Sequence, residues 1–281
     1  MPDIWKDAFA TNPIEPAATV YCIAFTPRSG STWLGDILHK TGALGDPKEW
    51  FNPQSARHAI KQSGCHDIHE YYRYLRTVKQ QRGVFGFEIA YQHLALLRKE
   101  GYSSLFADIN HWFFLRRRDY IAQAVSLHRA SRTGIFHSNQ QQEKSYPQVD
   151  YDNQQIANFA LKVVFSEFRF KKYFSDNMLA TTDIWYEDFL SMPATEIPNV
   201  FRRQLGQAVD HSGEQAGHDS DFQKTSDESS SSMISRFREQ NPAFVNYWDK
   251  HRGLRGVTRF LARHPSYASV KEGIKQVKHL T

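Results

Sequence analysis

The sequence predicts an α/β fold in which a central, mostly parallel sheet is flanked by helices. Residues 20–25 and 111–115 are short apolar runs, as expected of strands that are buried on both faces. Each run precedes a segment with helical apolar spacing, and this alternation is typical of βα units. The chain has 281 residues, 40% of them hydrophobic. We therefore expect a packed core and a single domain over residues 1–281.

The first half of the chain alternates between the two patterns in a regular way. We predict strands at 20–25, 83–89 and 111–115, and helices at 32–41, 69–80 and 91–99. Asp119 is placed to cap a further helix that runs to about residue 132, and Gly134 is placed to end it.

The second half is less regular. Residues 151–173 and the core of 193–205 have helical apolar spacing, and 178–184 reads as a strand. Segments 50–70 and 136–154 are polar, and we expect them to form acceptor-binding loops. Residues 206–232 are rich in Gly, Ser and Asp, which predicts a flexible segment. From Met233 onward, aromatic residues recur at helical spacing.

Composition narrows the classes of function. The net charge of +5 suits an anionic ligand, but no Lys/Arg-rich run indicates nucleic-acid binding. Two cysteines do not make a disulfide framework, and the first 18 residues lack the apolar core of a signal peptide, so we expect a cytoplasmic protein. No run of 18 apolar residues predicts a transmembrane segment.

The most informative stretch is the segment TPRSGSTW, residues 26–33, between the first strand and the first helix. Such a loop offers backbone N–H groups, hydroxyls and one cation to a phosphate or sulfate. It is not a Walker A loop, because it has one glycine and its cation, Arg28, comes before that glycine. The alternative interpretation is an ordinary Ser/Gly turn.

A second basic segment follows the strand at 111–115. Arg116, Arg117 and Arg118 end this strand, and Ser126 lies about two turns into the next helix. Ligands of parallel sheets bind outside the carboxyl ends of the strands, where both segments would lie. Together they predict a ligand with two separated anionic groups, whereas a solvated turn is the alternative for the arginines alone.

The two segments resemble those of sulfotransferases that use 3′-phosphoadenylyl sulfate (PAPS). Residues 25–34 resemble the family's 5′-phosphosulfate loop, and residues 118–126 are similar to its 3′-phosphate motif. More narrowly, the segments GDPKEWF at 45–51 and QAVS at 123–126 resemble the bacterial trehalose 2-sulfotransferase family. The resemblance implies a P-loop-like sulfotransferase fold, with PAPS as donor and adenosine 3′,5′-bisphosphate as product.

The resemblance also implies roles for individual residues in donor binding. Arg28 would contact the bridging and sulfuryl oxygens. The 5′-phosphate would lie in a cradle made by Ser29, Gly30, Ser31 and Thr32. The 3′-phosphate would be held by Ser126, by either Arg117 or Arg118, and by a basic residue of the tail, Lys224.

Two acidic residues are implied to act on the acceptor. Glu49 aligns with the residue proposed as general base in the trehalose enzyme, and Asp46 would hydrogen-bond sugar hydroxyls. The alternatives are an exposed loop acid for Glu49 and a turn residue for Asp46. One departure stands out: the family strand usually carries a lysine where this chain has Glu88.

These features predict transfer of a sulfuryl group from PAPS to a hydroxyl of a carbohydrate or glycolipid. The scheme needs no metal, and residues 65–70 (CHDIHE) lack a second ligand pair at a zinc-site spacing. A homodimer is one option that the resemblance allows. Two other functions remain open at this point, an ATP-dependent P-loop-type kinase and a non-catalytic nucleotide-binding relative of the fold.

Overall fold

Four parallel strands form the central sheet. The computed structural model describes residues 15–136, 148–209 and 228–264. The strands are β1 (Thr19–Phe25), β2 (Val84–Ala90), β3 (His111–Arg116) and β4 (Thr181–Trp185). They lie in the order β2-β1-β3-β4, and every pairing is parallel. The predicted α/β class and central sheet are confirmed.

Eleven α-helices connect and cover the strands within the described ranges. They are α1 (Ser31–Lys40), α2 (Pro53–Ser63), α3 (Ile68–Val78), α4 (Tyr91–Lys99), α5 (Tyr120–Thr133), α6 (Asn153–Asp176), α7 (Tyr186–Leu190), α8 (Ile197–Gln204), α9 (Glu228–Gln240), α10 (Pro242–His251) and α11 (Leu254–Arg263). A short 3-10 helix, Ser103–Phe106, precedes β3.

Both faces of the sheet are buried. Cys22 of β1 lies opposite Phe87 of β2 and Trp112 of β3, and this face packs against α3, α4 and α6. The opposite face packs against α1 and α8. A third apolar cluster, which includes the fully buried Trp248, joins α5 and α6 to the C-terminal helices. Burial on both faces explains why the strands read as continuous apolar runs.

Two segments differ from the sequence prediction. Residues 53–63 form α2 rather than a loop, because Asn52 caps the helix through Gln54 N–H and Pro53 suits its first position. Residues 228–232, expected to be flexible, form the first turns of α9. Of the remaining residues predicted as flexible, 206–209 follow α8, and 210–227 lie outside the described residues.

Among the residues that the structure describes, no helix is both long enough and apolar enough to span a bilayer.

Candidate functional site

The candidate site lies at the carboxyl edge of the sheet. The chain leaves β1 for β2 on one side, whereas β3 lies on the other side of β1. A reversal of this kind opens a crevice between the carboxyl ends of the two strands. The segment at 26–30 follows β1 and the arginines follow β3, so both predicted anion-binding segments border this crevice.

The loop between β1 and α1 has a strained backbone. Gly30, at the N-cap of α1, has a φ of 89°. A Cβ at this position would lie 2.5 Å from Cδ2 of Tyr186, so the close approach of the Tyr186 ring requires glycine. Arg28 also adopts a left-handed conformation, with a φ of 68°. For a residue with a side chain this conformation costs about 1–2 kcal/mol, and such strain is typical of ligand-binding loops.

The interior of the loop contains a hydroxyl without a partner. Ser29 is fully buried, and its Oγ has no hydrogen-bond partner among the described residues. Gln123 of α5 holds the loop in place, because its side-chain amide donates to Thr26 Oγ1 at 2.8 Å and to the Pro27 carbonyl at 2.7 Å. A buried hydroxyl that lacks a partner is costly unless a ligand satisfies it. Together with the N–H groups that open α1, Ser29 therefore fits an anion in the loop.

Arg28 and Ser126 are joined directly. Arg28 Nε donates to Ser126 Oγ at 2.9 Å, and its Nη1 donates to the Phe136 carbonyl. The two residues come from the two predicted anion-binding segments, 98 positions apart. The structure thus brings both segments to one place in the crevice between β1 and β3.

Arg117 and Arg118 have different surroundings. Arg118 is exposed and forms a two-pronged ion pair with Asp188, at 2.6 and 2.9 Å. Arg117 is half-buried; its guanidinium lies 5.2 Å from the centre of the Tyr186 ring, and its Nε lies 3.9 Å from Glu187 Oε1, an ion pair beyond hydrogen-bond distance. Since Tyr186 contacts Gly30, Arg117 lies beside the loop, whereas Arg118 is engaged elsewhere.

A buried ion pair holds the backbone of these arginines. Arg252 donates to the carbonyls of Arg117 and Arg118 at 2.6 and 2.7 Å. Its guanidinium also bonds both oxygens of Glu167, which is almost fully buried on α6. This arrangement fixes the direction in which the chain leaves β3.

Asp46 lies in a loop that packs along the edge strand β2. Its buried carboxylate pairs with Lys48 at 3.0 Å, His39 at 3.6 Å and Lys79 at 3.8 Å. The loop is fixed to the sheet because the Glu88 N–H donates to the Lys48 carbonyl at 2.9 Å. Asp46 therefore helps to hold the loop in place. The contact with sugar hydroxyls that the sequence implies stays a prediction.

Glu49 lies near two other titratable side chains, Glu88 of β2 and His93 of α4. Burial raises the pKa of its carboxyl, and a 3.2 Å hydrogen bond from Asn52 acts in the opposite direction. Nδ1 of His93, on α4, lies 3.8 Å from Glu49 Oε2. Burial lowers the pKa of His93 to about 4, so this imidazole is neutral at pH 7. The negative charge of Glu49 also raises the pKa of Glu88.

Sequence reasoning missed four residues of the site, Tyr186, Gln123, His93 and Arg252. Gln123 lies within the predicted segment at 118–126, whereas tertiary packing brings Tyr186 of α7, His93 of α4 and Arg252, in the turn after α10, to the predicted segments. The local signals were the QAVS segment for Gln123 and the position of Tyr186 directly after β4. Lys224 lies outside the described residues.

The acidic and histidine-rich segment at 65–70 serves to cap a helix. Asp67 accepts from the N–H groups of His69 and Glu70, and Glu70 accepts from the N–H of His66. Within the described ranges, no group of three or more His, Cys, Asp or Glu side chains is arranged to hold a metal ion.

Comparison with known families agrees with this geometry. A model of the Stf0 sulphotransferase family matches residues 20–240. The matched span begins in β1, contains both predicted anion-binding segments and ends with α9. Among curated proteins no match was found.

Proposed function

We propose, because this chain belongs to the Stf0 sulphotransferase family, that it transfers the sulfuryl group of PAPS to a hydroxyl of a carbohydrate or glycolipid acceptor. The observation that carries the proposal is the hydrogen bond between Arg28 and Ser126. It brings a cradle for one anion next to a residue predicted to bind another. A ligand with two anionic groups on one ribose would use both segments at once.

The groups around the cradle support a doubly anionic donor. The Ser29 hydroxyl and the N–H groups at the start of α1 suit the 5′-phosphosulfate. Arg117 and Ser126 suit the 3′-phosphate, since the Arg117 guanidinium is half-buried and close to the loop. Of the two arginines that the sequence left open, we therefore propose Arg117 as the 3′-phosphate ligand.

The proposed reaction is a single in-line displacement. The acceptor oxygen forms a bond to sulfur while the bond between sulfur and the 5′-phosphate oxygen breaks. The hydroxyl proton passes to Glu49, whose raised pKa suits a general base. Arg28 and the N-terminus of α1 stabilise the charge on the departing phosphate. The products are a sulfate ester and adenosine 3′,5′-bisphosphate.

The acceptor would approach from the side of Glu49. This side is formed by the loop at 46–49 and the first turn of α4, whereas Arg117 lies on the opposite side of the cradle. Asp46 is paired with three cationic or basic side chains, so we propose that it supports the acceptor site mainly by fixing the loop.

A transfer assay tests the proposal. The protein is incubated with [³⁵S]-labelled PAPS and a panel of sugars and glycolipids, and label in the acceptor is measured. In parallel, thermal unfolding is followed with adenosine 3′,5′-bisphosphate and with ATP plus Mg²⁺. We expect stabilisation by the bisphosphate, by about 2.7 kcal/mol at a concentration 100 times its Kd. Stabilisation by ATP plus Mg²⁺ but not by the bisphosphate would instead favour a kinase. Bisphosphate binding without transfer to any acceptor would favour a non-catalytic protein.

A further inference from the structure

Glu88 is a buried acid directly beneath the anion cradle. It lies in the middle of β2, and its side chain is almost fully buried at 3% exposure. The carboxyl reaches under the first turns of α1, where a Cβ on Gly35 would lie 2.8 Å from Glu88 Oε1. A side chain at position 35 would therefore displace this carboxyl.

The carboxyl has one polar partner in the cradle. Glu88 is hydrogen-bonded to the hydroxyl of Ser31, the first residue of α1. Its Oε1 is buried and has no hydrogen-bond partner among the described residues. Because an ionised carboxylate needs several donors when it is buried, this environment favours the neutral acid.

The charges around Glu88 favour the same form. Burial is the main cause that raises its pKa well above the ordinary value, and the neighbouring acids Glu49 and Asp46 raise it further. The Lys48 cation acts in the opposite direction, as would a hydrogen bond donated by Ser31 to the ionised carboxylate. The β1 side chains on the same face of the sheet as this carboxyl, Tyr21 and Ile23, carry no positive charge.

We propose that Glu88 is a positioning residue that, as a neutral carboxylic acid, donates its proton to Ser31 Oγ and so directs the Ser31 hydroxyl proton into the anion cradle. A neutral acid can donate one hydrogen bond, whereas a carboxylate can only accept. If Glu88 were ionised, the Ser31 hydroxyl would donate its hydrogen bond to the carboxylate and not to the anion. The inference rests on the proposed function in one respect, that the cradle binds an anionic donor.

This role explains how an acid is tolerated beside a bound anion. The sulfotransferases that this chain resembles usually have a lysine at this position of the strand, and an ionised Glu88 would reverse that charge. The neutral acid removes the repulsion and supplies a hydrogen-bond donor through Ser31. Deprotonation of Glu88 would add a negative charge next to the anion and weaken its binding.

Binding titrations with four variants test the inference. Calorimetry with inorganic sulfate and with adenosine 3′,5′-bisphosphate, at pH 8, compares wild type with E88Q, E88M, S31A and the double variant S31A/E88M. Gln retains a donor toward Ser31, whereas Met removes it at similar volume. We expect E88M to weaken both ligands about tenfold, the strength of one oriented hydrogen bond, and E88Q to stay within about threefold of wild type. E88M should add nothing in the S31A background.

Infrared spectroscopy provides a measurement that does not depend on Met being tolerated. At pH 8, wild type should show the band of a protonated carboxyl that E88Q lacks. Absence of this band, or an E88M effect that persists without Ser31, overturns the inference. If wild type binds sulfate but not the bisphosphate, the proposed donor is wrong while the sulfate titrations still decide on Glu88. A wild type that binds neither anion overturns both proposals.

Discussion

Arg28 Nε donates a hydrogen bond to Ser126 Oγ across the crevice between β1 and β3, at 2.9 Å. Each residue belongs to a segment that, taken alone, could be read as an ordinary turn or the start of a helix. Because β1 and β3 are adjacent and parallel, their carboxyl ends lie side by side, and the two segments form one site. The bond explains why a strained backbone at Arg28 is maintained: it directs the side chain toward the second segment.

The neighbouring arginines 117 and 118 make a matched pair for testing the 3′-phosphate site. We expect R117A to weaken adenosine 3′,5′-bisphosphate by about 10- to 100-fold, the loss of a charge-assisted hydrogen bond at a half-buried position. R118A should change affinity by less than about threefold, since Arg118 is exposed and paired with Asp188. Calorimetry on the two variants measures the difference. A larger effect of R118A would assign the phosphate to Arg118.

Substitutions at Gly30 and Gly64 distinguish the cost of a left-handed backbone from the loss of ligand binding. Both have a positive φ, 89° and 70°, but only at Gly30 would a Cβ clash, with Tyr186. We expect G30A and G64A each to lose about 1–2 kcal/mol of unfolding free energy in urea because of the left-handed backbone. G30A should additionally displace Tyr186 and weaken the bisphosphate at least tenfold, while G64A should bind as wild type does. Normal binding by G30A would show that the loop tolerates this displacement.

Much of the fold is encoded locally and was predicted from the sequence. The apolar run that became β1 needs no distant partner to be recognised, and Asp119 and Gly134 mark the ends of α5 where they were expected. Helix α2 was missed because Ala56 is its only buried residue, so it has no apolar stripe to detect.

The site depends on relationships that a single sequence does not contain. Which of two consecutive arginines turns toward the crevice depends on how the chain leaves β3, and Arg252, 134 residues beyond Arg118, helps to fix that direction. The contact between Ser31 and Glu88 similarly requires that β2 lies beside β1. Composition and spacing therefore predict an anionic ligand, whereas sheet order determines which side chains meet.

The raised pKa of Glu88 predicts an effect of pH on stability. The unfolded chain releases this proton near the ordinary pKa of a glutamate, while the folded protein retains it to higher pH. Stability is therefore lost as the pH rises from the ordinary value to the raised one. We expect E88Q, which cannot ionise, to unfold at higher urea than wild type at pH 8, and the difference to vanish below about pH 4.

The matched control for Glu88 is the exposed acid Glu100, at the end of α4. E100Q should stay within about 0.5 kcal/mol of wild type at both pH values, as is usual for surface changes. A wild type that is as stable as E88Q at pH 8 would show that the folded protein accommodates an ionised carboxylate at position 88.

The pH dependence of turnover distinguishes Glu49 from His93 as the base. A base acts only when deprotonated, so kcat/KM should rise with pH through the pKa of Glu49, which burial places above the ordinary glutamate value. E49Q should lower kcat by about 10²- to 10⁴-fold and leave bisphosphate affinity within about threefold, because Glu49 lies near Glu88 of β2, whereas the proposed phosphate ligands follow β1 and β3. His93, whose pKa is about 4, would place the rise at a lower pH.

H93Q completes the comparison, because it removes the imidazole that lies 3.8 Å from Glu49 and keeps a polar side chain of similar size. If Glu49 is the base, H93Q retains the rise of kcat/KM with pH, and E49Q is the variant that abolishes turnover. The opposite pattern, an active E49Q and an H93Q without turnover, would assign proton abstraction to His93. Steady-state rates from pH 4 to pH 8, with bisphosphate affinity measured on each variant, separate the two outcomes, since loss of donor binding would lower the rate at every pH alike.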